Sequence, residues 1–279
     1  MRTMGTTNFK NDNKELYNSF VRSKIPVKSV NEIYSVFSDY YDLSMNHIDY
    51  DGWASYLAII SDMHDFTPNS ILDLACGTGS MIIALDKQGH KQIDGCDLSH
   101  FMLKKARQKI NISVNNPHDI NLFSCDMRKL NCVDKYDLII SLNDSFNYMN
   151  SLNDLKLALE SCYKQLNDGG TLFFDLSSES NIFKNFNETI CEKFLRGAYT
   201  WANCYDPTTR ILYSNLDFLD YASGNVYRES HKQRIHTLDE VEKILFEIGF
   251  KETDMYGGFS LAEPIYSNEV FHIWTRKIM

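Results

Sequence analysis

Three acidic residues stand where a cationic ligand could be held: Asp73, Asp97 and Asp126. Asp73 lies inside Ile71-Leu72-Asp73-Leu74-Ala75-Cys76-Gly77-Thr78-Gly79-Ser80, which reads as a buried strand, a glycine turn and the start of a helix. Glycine lets backbone N–H groups approach a nucleotide, because no Cβ stands in the way. The turn departs from the dinucleotide fingerprint, since Ile82 occupies the place of a third glycine. A pyrophosphate beside Asp73 is repelled, whereas a cofactor carrying an ammonium and a sulfonium is attracted. That chemistry points to S-adenosylmethionine rather than to NAD or ATP.

The next two acids follow at the ends of further strands. Gln92-Ile93-Asp94-Gly95-Cys96 reads as the second strand and ends at Asp97, eighteen residues after Gly79. An acid there can accept two hydrogen bonds from vicinal ribose hydroxyls. A third strand over 120–124 leads into Cys125-Asp126-Met127. Asp126 can accept from an adenine amino group there, while Met127 covers the ring. A fourth strand over 136–142 opens into Asn143-Asp144-Ser145-Phe146-Asn147-Tyr148. Cys76, Cys96 and Cys125 fit as small apolar fillers near strand ends.

The ordered set DLACGTGS (73–80), GCDLS (95–99), SCDM (124–127) and YDLIISLNDSFNYM (136–149) resembles the class I S-adenosylmethionine-dependent methyltransferases over most of positions 35–277. Two flanking stretches, 37–53 and 227–234, resemble a bacterial subgroup that acts on small molecules. The resemblance implies an α/β fold: a Rossmann-like seven-stranded sheet with an N-terminal helical lid and an inserted antiparallel β-sheet. It also implies that Asp73, Gly77 and Gly79 line the methionine part, Asp97 the ribose and Asp126 the adenine. Ala75, Leu98, Met102, Cys125, Met127 and Leu142 complete the expected cofactor set. Tyr41 joins them from the lid, because it holds the matching place in the FxxYYDL stretch (37–43).

These residues need a scaffold, and its elements are readable. From residue 70 strands and helices alternate, the mark of a parallel sheet covered on both faces. Ser99 caps a helix through about Ile110, and 151–166 reads as another, stopped by Asn167-Asp168-Gly169-Gly170. Residues 171–175 enter the fifth strand. Thr237 and Glu240 form a capping box, Gly249 closes that helix, and terminal strands follow near 251–256 and 270–276. The expected organisation is a 1–60 extension with a helical lid over 30–60, and a cofactor-binding core over 61–176. An inserted substrate-side sheet over 177–235 and a completing segment over 236–279 follow. Three antiparallel strands are expected in the insert, over 193–205, 210–221 and 225–235. The first dozen residues are polar and expected to be mobile.

Period-two geometry puts Tyr227, Glu229, His231, Gln233 and Ile235 on one face of the last inserted strand, with Arg228, Ser230, Lys232 and Arg234 on a solvated face. The first set reads equally as a polar cavity wall, in which Glu229 orients His231, or as an internal hydrogen-bonded network. A hydroxyl or ammonium acceptor must lose a proton, and histidine is the residue type that titrates near neutrality. His231, Asn143 and Tyr148 are therefore the expected catalytic residues. Methyl transfer to a nitrogen, oxygen or carbon of a small-molecule substrate is the expected reaction. Intramolecular cyclisation or elimination of the same cofactor, and a non-catalytic binding module, are the alternatives.

Composition narrows the partners. The 279 residues suit one large embellished domain, and 43% hydrophobic content supplies a normal core. A net charge of −9 disfavours nucleic acid, and residues 143–148 do not spell the NPPY-like signature used on exocyclic nucleic-acid amines. No run is long and apolar enough for a membrane, and the N-terminus has no secretory apolar region. Seven cysteines without CxxC pairs and eight histidines without metal-site spacing indicate no metal and reduced thiols, as in a cytoplasmic protein. The oligomeric state is left open.

Overall fold

The computed structural model describes residues 26–186 and 189–278. The expected mobile start, and the first part of the 1–60 extension, lie outside those residues. The described chain begins with β1 (Val27–Ser29), a 3-10 turn at Phe37–Asp39, α1 (Tyr41–Ser44) and α2 (Tyr50–Met63). Alternation follows: β2 (Ser70–Leu74), α3 (Ser80–Lys87), β3 (Gln92–Asp97), α4 (His100–Ser113), β4 (Leu122–Ser124), β5 (Tyr136–Ser141), α5 (Leu152–Gln165) and β6 (Leu166–Ser177). The insert carries α6 (Glu179–Asn185), β7 (Ile190–Phe194), β8 (Gly197–Asp206), β9 (Ile211–Asp220) and β10 (Val226–Arg234). The chain closes with α7 (Leu238–Ile248), β11 (Glu252–Gly257) and β12 (Val270–Arg276).

Two sheets result. The larger has the order β11-β12-β6-β5-β2-β3-β4, with β12 antiparallel to both neighbours and the other six strands all running the opposite way to it. Its central strands are buried apolar runs such as Ile71, Leu72 and Leu74, as a sheet covered on both faces demands. Helices α2, α3 and α4 supply the core of one face, while α5 and α7 supply the other. Caps fix where those helices start. The side chains of Ser99 and Ser151 accept N–H bonds from Met102 and Asp154, and Thr237 with Glu240 forms a reciprocal box. Alternating helix and strand therefore leaves every parallel strand end facing the same way, toward the lid and the inserted sheet.

The inserted sheet has the order β1-β10-β9-β8-β7. Two expectations need correction here. The stretch 193–205 is not one strand: it breaks at Leu195-Arg196, where Phe194 pairs with Gly197. Gly197 permits that turn to sit close to the next strand, since a Cβ would meet the Leu219 carbonyl oxygen at 2.4 Å. The lid is also not continuously helical from residue 30. Tyr34 adopts a left-handed φ of 64°, and the backbone N–H groups of Tyr34 and Phe37 donate to the Glu229 carboxylate at 2.8 and 3.0 Å. Those donors face sideways into β10 rather than along a helix. The short α1 follows at Tyr41, and the long helix starts only at Tyr50, where Asp49 accepts the Gly52 N–H at 2.9 Å.

Candidate active site

A cavity of about 680 Å³ opens at the carboxyl ends of β2, β3, β4 and β5, roofed by the lid and walled by the inserted sheet. Of the residues singled out from sequence, Tyr41, Asp73, Ala75, Gly77, Asp97, Leu98, Met102, Cys125, Asp126, Met127, Leu142, Asn143 and Tyr148 border it. Gly79 and His231 do not. Gly79 has a φ of 77°, and a Cβ there would press on Ile110 at 3.1 Å and Ala106 at 3.3 Å. Its position serves the packing of the glycine turn on α4. Gly77, by contrast, faces open space, with Met102 4.0 Å from a notional Cβ, and its N–H donates to Asp97 at 2.9 Å.

The acids differ in what already holds them. Asp73 is buried, and its Oδ2 has no hydrogen-bond partner among the described residues. Burial, and then the neighbouring charge of Asp97, push its carboxyl up to about 8. Such a group lacks a cation beside it, so this unpaired acceptor fits a ligand with an ammonium or sulfonium. Asp97 is likewise pushed up by burial, opposed by N–H bonds from Ser99 at 2.8 Å and from Gly77. Asp126 accepts from the Arg128 guanidinium at 2.6 and 2.9 Å, and that contact holds its carboxyl below the ordinary range.

The lid is fastened on the opposite side. Lys109 donates to both oxygens of Asp42 and to Thr78 and Ser80, all within 2.7–2.9 Å. Lys105 pairs with Asp39 one helical turn away on α4. Thr78 sits in the glycine turn itself, so the lid and the turn share one anchor.

The inward face of β10 reaches the cavity loops through side chains. Glu229 takes the Tyr34 and Phe37 N–H groups; burial pushes its carboxyl up, but these bonds and His231 hold it below the ordinary range. His231 Nε2 lies 3.4 Å from Glu229, and its Nδ1 lies 2.9 Å from the Tyr148 hydroxyl. The Tyr148 hydroxyl in turn lies 2.7 Å from that of Tyr34, a second cavity residue. Gln233 donates to Asp144 at 2.8 Å. The face is thus an internal network whose tyrosine end reaches the cavity. On the other face Ser230 and Lys232 are exposed, while Arg228 and Arg234 pair with Asp217 and Glu240.

Sequence reasoning missed Asp175, Tyr34 and Lys109. Asp175 is buried on β6 and accepts the N–H groups of Asn143 and Asp144 at 3.1 and 2.8 Å. Those two residues have φ values of 59° and 52°, so an acid fixes the left-handed loop that aims Asn143 and Tyr148. The available signal was an acid inside the apolar run 172–176. Asn147 stays out of the cavity, fully buried between Ser177 and Arg234. Among the described residues no cluster of histidine, cysteine and acids could hold a metal, and no helix is long and apolar enough to cross a membrane.

Comparison with known proteins assigns the family. A model described as a methyltransferase domain matches residues 71–170. A putative methyltransferase of Bacillus subtilis, YqeM, is 30% identical over 85% of this chain and 94% of its own length. A dTDP-3-amino-3,4,6-trideoxy-alpha-D-glucopyranose N,N-dimethyltransferase of Streptomyces venezuelae is 31% identical over 42% of this chain and 48% of its own. In fold, an S-adenosylmethionine-dependent methyltransferase from Clostridium acetobutylicum covers 89% of this chain and 100% of its own, with a TM-score of 0.75 at 23% identity. A relative 30% identical over 85% of this chain, together with the methyltransferase-domain match, makes this chain a class I S-adenosylmethionine-dependent methyltransferase.

Proposed function

We propose that the enzyme methylates a nitrogen or oxygen nucleophile on a small-molecule metabolite, with Tyr148 touching the acceptor and His231 taking its proton. One observation carries this reading: Tyr148 borders the cavity, and its hydroxyl lies 2.9 Å from the Nδ1 of a histidine that does not. Asp73, Ala75 and Gly77 hold the methionine part of S-adenosylmethionine, Asp97 the ribose, and Asp126 with Met127 the adenine. Leu98, Met102, Cys125, Leu142 and Tyr41 complete the enclosure. When bound, the cofactor supplies an electrophilic methyl group. The protein's share is alignment and exclusion of water, worth roughly 7–11 kcal/mol in well-oriented systems.

Burial pushes the Tyr148 phenol above its ordinary range, so its hydroxyl stays protonated. It therefore acts as a relay: the acceptor's proton reaches Tyr148 oxygen as the tyrosine's own proton passes to His231 Nδ1. Glu229, kept anionic by the lid N–H groups, stabilises the imidazolium that results. Asn143 donates through Nδ2 to Tyr50 at 3.2 Å and leaves its carbonyl oxygen to orient the acceptor. The dTDP-aminosugar relative supports a small amine-bearing acceptor.

The test is a panel of small amines and phenols with methyl-labelled cofactor. Acceptor-dependent S-adenosylhomocysteine and labelled product are expected. Cofactor binding without methylation of any member would defeat the small-molecule reading, and methylthioadenosine released without acceptor would replace it with cofactor cleavage.

A further inference from the structure

The geometry points to an acceptor that carries a secondary amide, recognised by the backbone edge of β10 at Ser230 and Lys232 that the described residues leave uncovered; the inference rests on the small-molecule reading above. The parity of the ladder fixes which groups face that edge. Asp220 N–H donates to the Asn225 carbonyl at 3.0 Å, and Ile235 N–H donates to the Arg210 carbonyl at 2.8 Å. The register between β10 and β9 runs without a bulge from Val226 to Arg234. Odd-numbered residues of β10 therefore spend their N–H and C=O groups on β9, and even-numbered residues point theirs the other way.

The other side is only partly covered. β1 pairs in parallel with Val226, Tyr227 and Arg228, and the Val30 N–H closes on the Arg228 carbonyl at 3.0 Å. At the far end Asn147 donates to the Arg234 carbonyl at 2.8 Å. Between them, no described residue bonds the backbone groups of Ser230 or Lys232. Both residues border the cofactor cavity together with Asn31, Ile33 and Tyr148. Their side chains are engaged elsewhere: Ser230 donates to Asn215 at 2.7 Å, and the Lys232 ammonium lies 6.0 Å from the Tyr213 ring. By the ladder parity, the groups they leave unspent on this side are peptide backbone, donor and acceptor alternating over roughly 7 Å.

An amide of the acceptor satisfies both kinds of group at once, as an added strand residue does on a sheet edge. Water satisfies them less specifically. Continuity with the cavity favours the acceptor as occupant, because the same strand carries His231, whose Nδ1 meets Tyr148 where the acceptor nucleophile is proposed to lie. The edge thereby selects the body of the molecule while Tyr148 meets its reacting atom.

Amine acceptors matched except for an amide replaced by an ester provide the test, with Ser230→Pro as the variant. Proline at 230 removes a cavity-facing N–H and no ladder bond. The amide compound should show a KM about tenfold lower than its ester, the loss expected for about one hydrogen bond. Ser230→Pro should raise the amide's KM about as much while cofactor affinity by calorimetry stays unchanged. Hydrogen exchange on the unaltered enzyme reads the edge independently of the variant's folding. The Ser230 and Lys232 amides should exchange freely with cofactor alone and become protected when the amide acceptor is added. Equal KM values for amide and ester overturn this inference alone, as does protection before any acceptor is present, which would mean the chain covers its own edge. Absence of turnover with every small acceptor overturns the small-molecule reading along with it.

Discussion

Tyr148 borders the cavity while His231, bonded to its hydroxyl at 2.9 Å, is screened behind it. If the two act as one relay, Tyr148→Phe and His231→Ala should each lower kcat roughly 10²-fold, within the usual range for acid–base assistance. The double variant should be no worse than either single one, since residues acting as a unit are not additive. Cofactor affinity should be unchanged in all three. Multiplying losses in the double variant would separate the two residues.

Glu229 ties the lid to the inserted sheet, accepting N–H bonds from Tyr34 and Phe37 and the Ser35 hydroxyl at 3.3 Å. Glu229→Gln replaces one acceptor oxygen with an NH₂ that faces other donors. The expected cost is roughly 1.5–3 kcal/mol of stability, the range for bonds to a charged group. Denaturant unfolding reads the total, and hydrogen exchange should localise the loss to residues 34–37. A variant as stable as the parent, with the lid still protected, would remove this anchoring role.

Legibility from sequence followed the range of the interactions involved. The parallel sheet was readable because buried strands are apolar runs, and α7 because Thr237, Glu240 and Gly249 signal both its ends locally. The acid at each strand end was readable for the same reason. The lid turn was not, because the carboxylate that accepts its N–H groups lies 195 residues further along the chain. The hairpin at Leu195-Arg196 has neither glycine, asparagine nor proline at its two central positions to announce it. β1 is three residues long and borrows its stability from β10. At Gly79 the resemblance supplies a role beside the cofactor, but sequence does not show the side chains, Ile110 and Ala106, that a Cβ there would meet.

Asp73 predicts a pH dependence of cofactor binding. Its carboxyl, raised to about 8, holds a proton at neutral pH in the free enzyme, whereas a cationic ligand favours the carboxylate. Binding should therefore release a proton, and affinity should rise from pH 6 to pH 8. The same shift costs stability: the folded state binds the proton more tightly than the unfolded chain, so stability falls as pH rises from about 4 toward 8. Calorimetry in buffers of different ionisation enthalpy reads the proton, and Asp73→Asn should abolish its release while weakening binding. Proton-neutral binding across that range would contradict the assignment of Asp73 to the cationic end.

Asp175 holds the loop after β5 in a shape the backbone resists. Asn143 and Asp144 are consecutive left-handed residues at φ 59° and 52°, and both N–H groups point at the two oxygens of one buried carboxylate. Asparagine and aspartate tolerate that conformation better than other side chains, yet two in succession need an external acceptor. Asp175→Asn keeps the volume but turns an NH₂ toward one of those donors. Stability should fall by roughly 1–3 kcal/mol, the cost of an unsatisfied buried group. Relaxation of the loop also withdraws Asn143 from Tyr50 and Asp144 from Gln233, the contacts that aim the acceptor side of the cavity. Asp73 and Asp97 stand on other strands and keep their places, so acceptor KM should rise while cofactor affinity holds. Denaturant unfolding together with separate cofactor and acceptor titrations distinguishes this outcome. Equal losses in both titrations would mean that Asp175 supports the whole sheet edge rather than the loop it bonds.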